Sequence, residues 1–597
     1  MLWNKTKKQR RRRARRGPSL SKRPPLDPRA AALEQFVVEE IELDGSIEVA
    51  RPRERRRLRL AGLADFKLML AWTGLWLILT AAALFSRWAW PVDELRHLAV
   101  AWEMWLGNDW LVPRLNGQVY TGTPPLFFWL TQAGWNLFGV NDWWPRALPA
   151  LFGWMSIIFM TAVARQLWPG RADIARYVPF LLLGLGAWSW YAGWLYVDLL
   201  LVFFLVVAYW ALLIMGRRGR LGAWIMLGTA LGLGTLAGGL VMFWYVLPLA
   251  LLAPVWTASE PRIDAGRWYR DVFLALLLGA AMFAAWLVPL YRQLGAEAVW
   301  TLVQAYVLPH SVSFFQQAQP WWAYLVYLPL VFLPWSLWPL AWMRLWHIRR
   351  QRTDRGLLFC IVAGIPILVF LMLIDTRQVQ FLLPVFPAYV LAVAYLLFDD
   401  DLAGQGENTV WSGMSFPVIA LGGLLAALPQ LPRLDFLPAI LWEMSPLVGV
   451  VMGVIGIGIA WLPAARMEQR LSNIGVSSLM LVVFAILIIG WQFNPANDVR
   501  PVAQVLARAE QEGRPVAHLG DYQGEYQFAG RLRRPLTVVD KAYLASWARQ
   551  YPNGLVVTAP GVAPPRVGSG ARPVFQAKLA RGQVVIWDAD AFLGSAR

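Results

Sequence analysis

The chain has 597 residues, of which 58% are hydrophobic and only 15% are charged. Soluble proteins average about 25% charged and 45–50% apolar residues, so this composition excludes an ordinary soluble domain and indicates a polytopic membrane protein. The 36 tryptophans fit this class, since Trp is enriched at membrane interfaces. The single cysteine, Cys360, lies in an apolar run, which excludes an intramolecular disulfide and a cysteine-based metal site.

The net charge of +18 is concentrated at the N-terminus. Residues 1–60 contain 18 Lys and Arg against 8 Asp and Glu, and the run KTKKQRRRRARR is followed by Pro-rich and then acidic sequence. We interpret residues 1–65 as a basic, disordered cytoplasmic tail that sets the membrane orientation. It is also suited to binding anionic headgroups, so we expect membrane lipids among the partners and no nucleic acid.

Apolar runs that are suited to crossing a membrane begin at Phe66, since about 20 mainly apolar residues make one span. The candidates in chain order are 66–86, 144–166, 174–190, 195–215, 222–236, 239–256, 271–290, 321–343, 356–374, 380–398, 411–430, 437–462 and 473–492. This pattern predicts an α-helical polytopic membrane domain over residues 66–493 with about 13 transmembrane helices.

The charges of the loops predict the orientation, because Lys and Arg tend to stay inside. With the basic tail in the cytoplasm, five of the six inside loops are basic, and only DDDLAGQGEN is not. The long segments 87–143 and 291–320 then lie on the outer side. We therefore predict a multi-pass protein of the inner (plasma) membrane with its N-terminus in the cytoplasm and its C-terminal part outside.

The first outer segment and the C-terminal part have patterns of their own. A helix in the plane of the membrane interface is predicted by the helical spacing of Leu95, Leu98, Ala99, Trp102, Trp105 and Leu106. From residue 494 onward, the helical pattern of VRPVAQVLARAEQEG precedes four strand-like runs, RPVAHLG, PLTVVD, GLVVTAP and GQVVIWDA. This alternation predicts a small α/β domain over residues 494–597, on the outer side.

Charged side chains inside the apolar region are functional candidates, because each is costly within a membrane. Asp198 is the only charged residue of the run WLYVDLLLVFF, and Asp375 and Arg377 are the only ones in LIDTRQVQFLLPVFP. Both places fall on the outer side by the loop charges. The alternative interpretation is a solvated carboxylate at a helix end for Asp198 and a short hydrated loop for the other two.

A third charged cluster opens the first outer segment with Asp93, Glu94 and Arg96. Arg96 and His97 follow Asp93 by about one helical turn and can share its face. A polar interfacial face is the alternative interpretation. An outward-facing site with a carboxylate base, a second carboxylate and a guanidinium suits transfer from a phosphate-linked donor. The base takes a proton from the acceptor, and the cation stabilises the leaving phosphate.

The same stretch carries a resemblance to a known family. The segment DELRHLAVAWEMWLGNDWLVPRLNGQVYTGTPPLFFWLTQAGWNLFGVNDWWPRALPALFG resembles the first extracytoplasmic loop of bacterial GT-C glycosyltransferases. More narrowly, it is similar to the aminoarabinose transferases of lipid A and their relatives among the dolichyl-phosphate-mannose protein mannosyltransferases. VDLLLVFFL is similar to the second acidic position of this family, and TRQVQFLLPVFPA and PHSVSFFQQAQPWWAYL are similar to its later outer loops.

The resemblance implies inverting transfer of a sugar from a polyprenyl-phosphate-linked donor to a lipid, glycan or protein acceptor outside the membrane. Asp93 would be the catalytic carboxylate, with Asp198 as its catalytic partner. Arg96 and Arg377 would bind the donor phosphate. The residues that would support the site are Glu94, His310 and Arg146. The resemblance is compatible with a divalent metal, but this sequence does not itself support one. The resemblance implies no other cofactor.

The chain departs from the family pattern where the family carries charge. Gly122 and Thr123 stand in place of Glu-Lys, Ala237 or Gly238 replaces a lysine, and Ser313 replaces an arginine. Three cations and one carboxylate that would support a metal are thus missing. A catalytically degenerate GT-C scaffold that binds a polyprenyl lipid or a partner protein is therefore the alternative function. A transporter is disfavoured, because paired halves with broken helices are not evident.

Overall fold

The computed structural model describes residues 52–216, 222–257, 264–307, 322–348, 354–374, 378–398, 419, 422–432, 442, 445–461, 466–559, 561–562, 567 and 571–595. The chain divides into two units, Met1–Lys67 and Leu68–Arg597. The predictions for the tail before Pro52, and those for His310, Ser313, Asp375 and Arg377, fall outside the described residues.

Helices make up most of the described chain, which confirms the predicted α-helical class. The first half contains α1 (Pro52–Phe85), α2 (Asp93–Leu106), α3 (Leu126–Phe138), α4 (Trp143–Leu167), α5 (Ala172–Gly184), α6 (Gly186–Ala192), α7 (Asp198–Met215), α8 (Ala223–Gly238), α9 (Val241–Leu251), α10 (Ala253–Trp256) and α11 (Ala265–Leu294). The second half contains α12 (Ala296–Val307), α13 (Ala323–Val331), α14 (Pro339–Ile348), α15 (Arg355–Met372), α16 (Phe386–Phe398), α17 (Pro446–Trp461), α18 (Met467–Asn497), α19 (Arg500–Gln511) and α20 (Leu544–Gln550). Short 3₁₀ segments are Trp335–Leu337, Val379–Val385, Leu428–Gln430 and Ala589–Ser595.

Seven helical segments within the described residues are long and apolar enough to cross a membrane, so the protein is a multi-pass membrane protein. They are Asp65–Phe85, Trp143–Leu167, Asp198–Met215, Ala265–Leu294, Arg355–Met372, Val379–Phe398 and Met467–Gln511. Three shorter apolar helices are Ala223–Gly238, Val241–Leu251 and Pro446–Gly458. The predicted count of 13 is not confirmed. The run 174–190 is interrupted at Leu185, and 321–343 is divided by the non-helical stretch before Trp335.

Helix α1 begins earlier than the sequence suggested. The disordered tail was expected to reach residue 65, but the helix already begins at Pro52. The stretch PRERRRLRLAGLAD explains the difference, because it has proline at the first helical position and is otherwise rich in Arg, Leu and Ala. The boundaries at 65/66 and 493/494 stay predictions as limits of domains.

The segment 87–143, which is predicted to lie on the outer side and is called the first outer segment below, contains α2, a β-hairpin and α3. The hairpin pairs β1 (Arg114–Leu115) with β2 (Gln118–Val119). Asn116 and Gly117 form its turn with φ of 53° and 80°, as the Asn-Gly type I′ turn requires. The Glu103 carboxylate on α2 accepts the N–H groups of both turn residues. Burial raises the pKa of Glu103, although these hydrogen bonds oppose the shift.

The C-terminal part forms a five-stranded sheet in the order β4-β3-β5-β7-β6, which confirms the small α/β domain. Its strands are β3 (Val516–Leu519), β4 (Thr537–Val539), β5 (Leu555–Thr558), β6 (Phe575–Leu579) and β7 (Gly582–Asp588). β3 runs parallel to β4 and β5, and β7 is antiparallel to β5 and β6. The sequence missed β6, because this edge strand alternates solvent-facing Gln and Lys with half-buried residues and lacks a buried apolar run.

The C-terminal domain packs directly on the first outer segment. Trp102 on α2 donates its indole N–H to the Leu532 carbonyl at 2.8 Å. Trp135 on α3 stacks on Phe528 with ring centroids 5.5 Å apart. Most of the apolar face of α2 is buried within the protein, and only its last residue, Leu106, is exposed. This corrects the prediction that the face lies against the membrane interface. Such a face needs an apolar cover, and here another domain of the chain supplies it.

Candidate functional site

A cavity of about 760 Å³ lies where the first outer segment, the ends of several membrane helices and the C-terminal domain meet. The hairpin β1–β2 and the start of α2 line one part of it, and the starts of α7 and α9 line another. Among the described residues, the carboxylates and guanidinium groups that line it are Asp93, Asp198, Arg96 and Arg581.

Asp93 is the first residue of α2, and its carboxylate forms an ion pair with Arg96 one turn along the helix. An acidic group in the first turn is favoured by the helix dipole, which explains why the helix begins here. The side chain of Asp93 is 51% exposed, whereas that of Arg96 is 13% exposed. The pair therefore presents an accessible carboxylate to the cavity, backed by a mostly buried guanidinium.

Asp198 has the same local position in another helix, since it is the first residue of α7. It is partly buried and lines the cavity with Tyr191 and Tyr196. It also interacts electrostatically with Asp93. The two carboxylates that the sequence singled out, more than a hundred positions apart, thus lie at one site.

His97 fixes the wall of the cavity next to Asp93. Its Nδ1 lies 2.6 Å from the Asp93 carbonyl oxygen, and its Nε2 lies 3.2 Å from the Thr123 hydroxyl. Burial and the positive charge of Arg96 lower the pKa of His97 to about 4, so the ring is neutral near pH 7. A carbonyl only accepts hydrogen bonds, so Nδ1–H donates to Asp93 and Nε2 accepts from Thr123.

Glu94 does not line the cavity but ties together the segments that do. Its carboxylate pairs with the Arg87 guanidinium at 2.5 and 2.7 Å. It also accepts the backbone N–H groups of Trp90 and Leu195, each at 2.9 Å. Burial by itself would raise the pKa of Glu94, but the charge and hydrogen bonds of Arg87 lower it to about 2. This buried carboxylate links the start of α2 to the turn that precedes α7.

Arg146 also lies away from the cavity lining. It is buried on α4, where it donates to the Ala83 carbonyl at 2.7 Å and lies 3.6 Å from the Asp142 carboxylate. Ala83 belongs to the last turn of α1. Any support that Arg146 gives the site is therefore indirect, through the position of that helix end.

The positions that depart from the family pattern line the cavity: Gly122, Thr123, Ala237 and Gly238. Tyr120 fills the space beside Gly122, where an added Cβ would come within 2.4 Å of the Tyr120 hydroxyl. A Cβ at Gly238 would lie 2.8 Å from the Leu201 side chain. The packing is thus adapted to the absence of charged side chains at both glycines.

No group of three His, Cys, Asp or Glu side chains able to hold a metal ion occurs in the part of the chain that the structure describes. The predicted phosphate ligand Arg377 is outside this part, but the adjacent Gln378 and Gln380 line the cavity. The part of TRQVQFLLPVFPA from Gln378 onward therefore reaches the cavity.

Two arginines near the site were missed by the sequence reasoning. Arg87 stands directly after the first apolar run. Its place at a helix end, seven positions before Glu94, was a signal from which an ion pair between the two could have been predicted. Arg581 lies in the turn between β6 and β7. No local pattern marks it, because its place at the cavity follows only from how the C-terminal domain packs.

Comparison with known proteins identifies similar sequences. Residues 122–288 match the family model of dolichyl-phosphate-mannose-protein mannosyltransferases. The undecaprenyl phosphate-alpha-4-amino-4-deoxy-L-arabinose arabinosyl transferase of Pseudomonas aeruginosa is 27% identical over 391 residues, covering 64% of this chain and 67% of that protein. A second such transferase, from Pseudomonas fluorescens, is 25% identical over 498 residues, covering 81% of this chain and 87% of its own.

Solved structures share the fold. ArnT from Cupriavidus metallidurans in the apo state aligns with a TM-score of 0.70 at 20% identity, over 89% of this chain and all of that one (100%). The same protein bound to undecaprenyl phosphate aligns with a TM-score of 0.67 at 20% identity, over 88% of this chain and 99% of that one. The predicted resemblance and enzyme class are confirmed: the chain is a membrane glycosyltransferase whose sequence is similar to the aminoarabinose transferases and whose fold is similar to that of ArnT.

Proposed function

We propose that this protein transfers a sugar from a polyprenyl-phosphate-linked donor to an acceptor on the outer side of the membrane, with Asp93 as the catalytic carboxylate. The observation that carries the proposal is the convergence of Asp93, Asp198 and Arg96 on one cavity. Each carboxylate stands at the first position of a helix, and the guanidinium lies one turn from Asp93.

The chemistry is an inverting displacement at the anomeric carbon. The acceptor oxygen forms the new glycosidic bond as the bond from the anomeric carbon to the phosphate oxygen breaks. Asp93 takes the proton of the acceptor hydroxyl as general base, and the phosphate leaves with the bonding electron pair. Asp198 orients the acceptor or the sugar from the opposite wall, and Arg96 and Arg377 balance the charge of the leaving phosphate.

The donor is best supported by the relatives. The names of the similar curated enzymes specify an undecaprenyl-phosphate-linked aminoarabinose, and the ArnT structure was solved with undecaprenyl phosphate. We therefore propose undecaprenyl phosphate as the lipid part of the donor. The acceptor is a lipid, glycan or protein. Among these, lipid A is favoured by the resemblance to the aminoarabinose transferases.

The loop charges support a site that faces outward. With the basic tail in the cytoplasm, the cavity and the C-terminal domain lie on the outer side of the inner membrane. A polyprenyl-phosphate donor fits this place, because its lipid part stays in the membrane while its phosphate and sugar lie at the surface.

Replacement of Asp93 by Asn tests the catalytic assignment, since it removes the base and keeps the shape. Purified protein in liposomes would be supplied with radiolabelled polyprenyl-phosphate sugar and cell-envelope lipids. Asp93→Asn should lower transfer by about 10²–10⁴-fold, the usual cost of losing a general base. Binding of undecaprenyl phosphate should remain. Asp521→Asn, at an exposed position outside the cavity lining, is the matched control. Transfer by Asp93→Asn at the wild-type rate would reject the assignment.

A catalytically degenerate scaffold is the second candidate, and the packing at the cavity favours it. Tyr120 and Leu201 occupy the space beside Gly122 and Gly238, where charged groups of the family would stand. Such a protein would bind a polyprenyl lipid or a partner protein without transferring sugar. Wild-type protein that binds undecaprenyl phosphate but shows no transfer to any envelope acceptor would support this candidate.

A further inference from the structure

The C-terminal domain contributes a cation to the cavity through the tip of one hairpin. β6 and β7 are joined by Ala580 and Arg581, and Leu579 pairs with Gly582 directly behind this turn. The backbone N–H of Ala580 donates to the Ala496 carbonyl at the end of α18, at 2.7 Å. The tip is thereby held against a membrane helix, and Arg581 lines the cavity from there.

Arg581 is available to a ligand, whereas the other lining guanidinium is engaged. Arg96 forms an ion pair with Asp93. The Arg581 side chain is exposed and, among the described residues, forms neither a hydrogen bond nor an ion pair. Burial raises the pKa of the Glu525 carboxyl, and the positive charges of Arg581 and Arg96 oppose this shift. The cavity thus has a positive group at the wall formed by the C-terminal domain.

The loop that carries Glu525 is fixed where it meets the first outer segment. Gly524 has φ of +83°, and an added Cβ would lie 2.7 Å from the Leu115 side chain and 2.8 Å from Ala99. Tyr522 and Gln523 of the same loop line the cavity. This wall is therefore a packed part of the site, and Arg581 lines the cavity together with it.

The cavity walls formed by the first outer segment and by the end of α8 lack cations at the positions where the family pattern has them. Gly122, Thr123, Ala237 and Gly238 are uncharged, and the two glycines have no free space for a side chain. An anionic group in the cavity must therefore find its positive partners elsewhere. Within the described lining, Arg581 is the arginine not already paired with a carboxylate.

We propose that Arg581 binds a phosphate group of a substrate in this cavity, so that the C-terminal domain supplies positive charge that these two walls lack at those positions. This proposal rests on the proposed function, because it assumes that the cavity receives a phosphate-bearing substrate. The phosphate belongs either to the polyprenyl-phosphate donor or to a phosphorylated glycolipid acceptor. A guanidinium suits both, since it donates two parallel hydrogen bonds to phosphate oxygens.

Binding titrations of the full-length protein in nanodiscs with Arg581→Gln and Arg581→Lys test the proposal. One arm uses undecaprenyl phosphate, with undecaprenol as the phosphate-free probe. The other arm uses a bisphosphorylated glucosamine lipid and its dephosphorylated form. Lys578→Gln is the matched control, because Lys578 is an exposed cation of the same hairpin outside the cavity lining.

We expect Arg581→Gln to weaken binding of one phosphorylated probe about tenfold or more, as loss of one charge-assisted contact implies. Arg581→Lys should restore part of this affinity, and Lys578→Gln and the phosphate-free probes should show no change. The arm that responds identifies the donor or the acceptor as the source of the phosphate. Wild-type affinity of Arg581→Gln for both phosphorylated probes would overturn the proposal while leaving the proposed function intact. If wild-type protein binds neither, the proposed function itself fails.

Discussion

Arg87 and Glu94 form a buried ion pair with two parallel contacts of 2.5 and 2.7 Å. Arg87 stands just after α1, and Glu94 is in the first turn of α2. Glu94 also accepts the backbone N–H of Leu195, in the turn before α7. One carboxylate therefore determines the relative position of the two helix starts that carry Asp93 and Asp198.

Glu94→Gln should strongly destabilise the protein, because it leaves the Arg87 charge buried without a partner. Breaking a buried pair from one side typically costs about 3–5 kcal/mol. Thermal unfolding of purified protein in detergent would measure this. Glu512→Gln, at an exposed position after α19, should unfold like wild type. An unchanged melting temperature for Glu94→Gln would mean that this pair does not hold the site together.

The buried imidazole of His97 should make the protein less stable in mild acid. Its pKa is about 4 in the folded state against 6.5 for an unperturbed histidine, so the unfolded chain binds the proton more readily. The contribution of the neutral His97 ring to the free energy of unfolding is complete above pH 6.5 and is lost as pH falls toward 4. It should amount to about 2 kcal/mol between pH 7.5 and pH 5.

Melting temperatures of wild type and His97→Gln at these two pH values would test this dependence. Between pH 7.5 and pH 5 the melting temperature should fall less, or rise more, in the variant than in wild type. The carboxyls of Glu103 and Glu525, whose pKa burial raises, act in the direction opposite to His97 in both proteins. The buried His518, whose pKa is also lowered by burial, contributes to the pH dependence of stability that remains in the variant. Glu94 adds no loss in this range, because its stabilisation declines only below pH 4.5, toward its folded pKa of about 2. An equal difference in both proteins would contradict the role assigned to His97.

Two glycines of the C-terminal domain that both have positive φ distinguish the effect of backbone strain from the effect of packing. Gly524 and Gly513 have φ of +83° and +70°, but only Gly524 has neighbours within 4 Å of an added Cβ. Both Ala variants carry the cost of a left-handed backbone. Gly524→Ala should in addition displace the loop from Leu115 and Ala99.

Hydrogen exchange of the loop 520–530 and of α2 would detect this displacement. Faster exchange is expected at both places in Gly524→Ala, together with weaker substrate binding. Gly513→Ala should keep the wild-type exchange there. If the two variants behave alike, contact between this loop and α2 does not fix the wall of the cavity.

The predicted orientation can be tested by single-cysteine labelling in a Cys360→Ser background. Cys360 is buried and is the sole cysteine, so the background removes the only competing thiol. A reagent that cannot cross the membrane should label Ser595→Cys from outside intact cells and spare Ser19→Cys. Labelling of both positions from the same side would overturn the topology and the outward-facing site.

Several features of this protein follow from the sequence alone. The apolar runs, the strand patterns after residue 494 and the charges at Asp93 and Asp198 are local properties of the chain. Hydrophobic length determines which segments can cross a membrane, and burying a charge is costly enough to mark functional candidates. The sequence therefore predicted the fold class and the two carboxylates that the cavity brings together.

The roles of Glu94 and Arg581 were decided only by the tertiary structure. Glu94 is next to Asp93 in the chain, but adjacent residues of a helix point in different directions, and only packing shows that it meets Arg87 and Leu195. Arg581 lies far along the chain from Asp93 and reaches the same cavity because β6–β7 packs against α18. Contacts between distant segments depend on how whole elements dock, and a single sequence has no local signal for that.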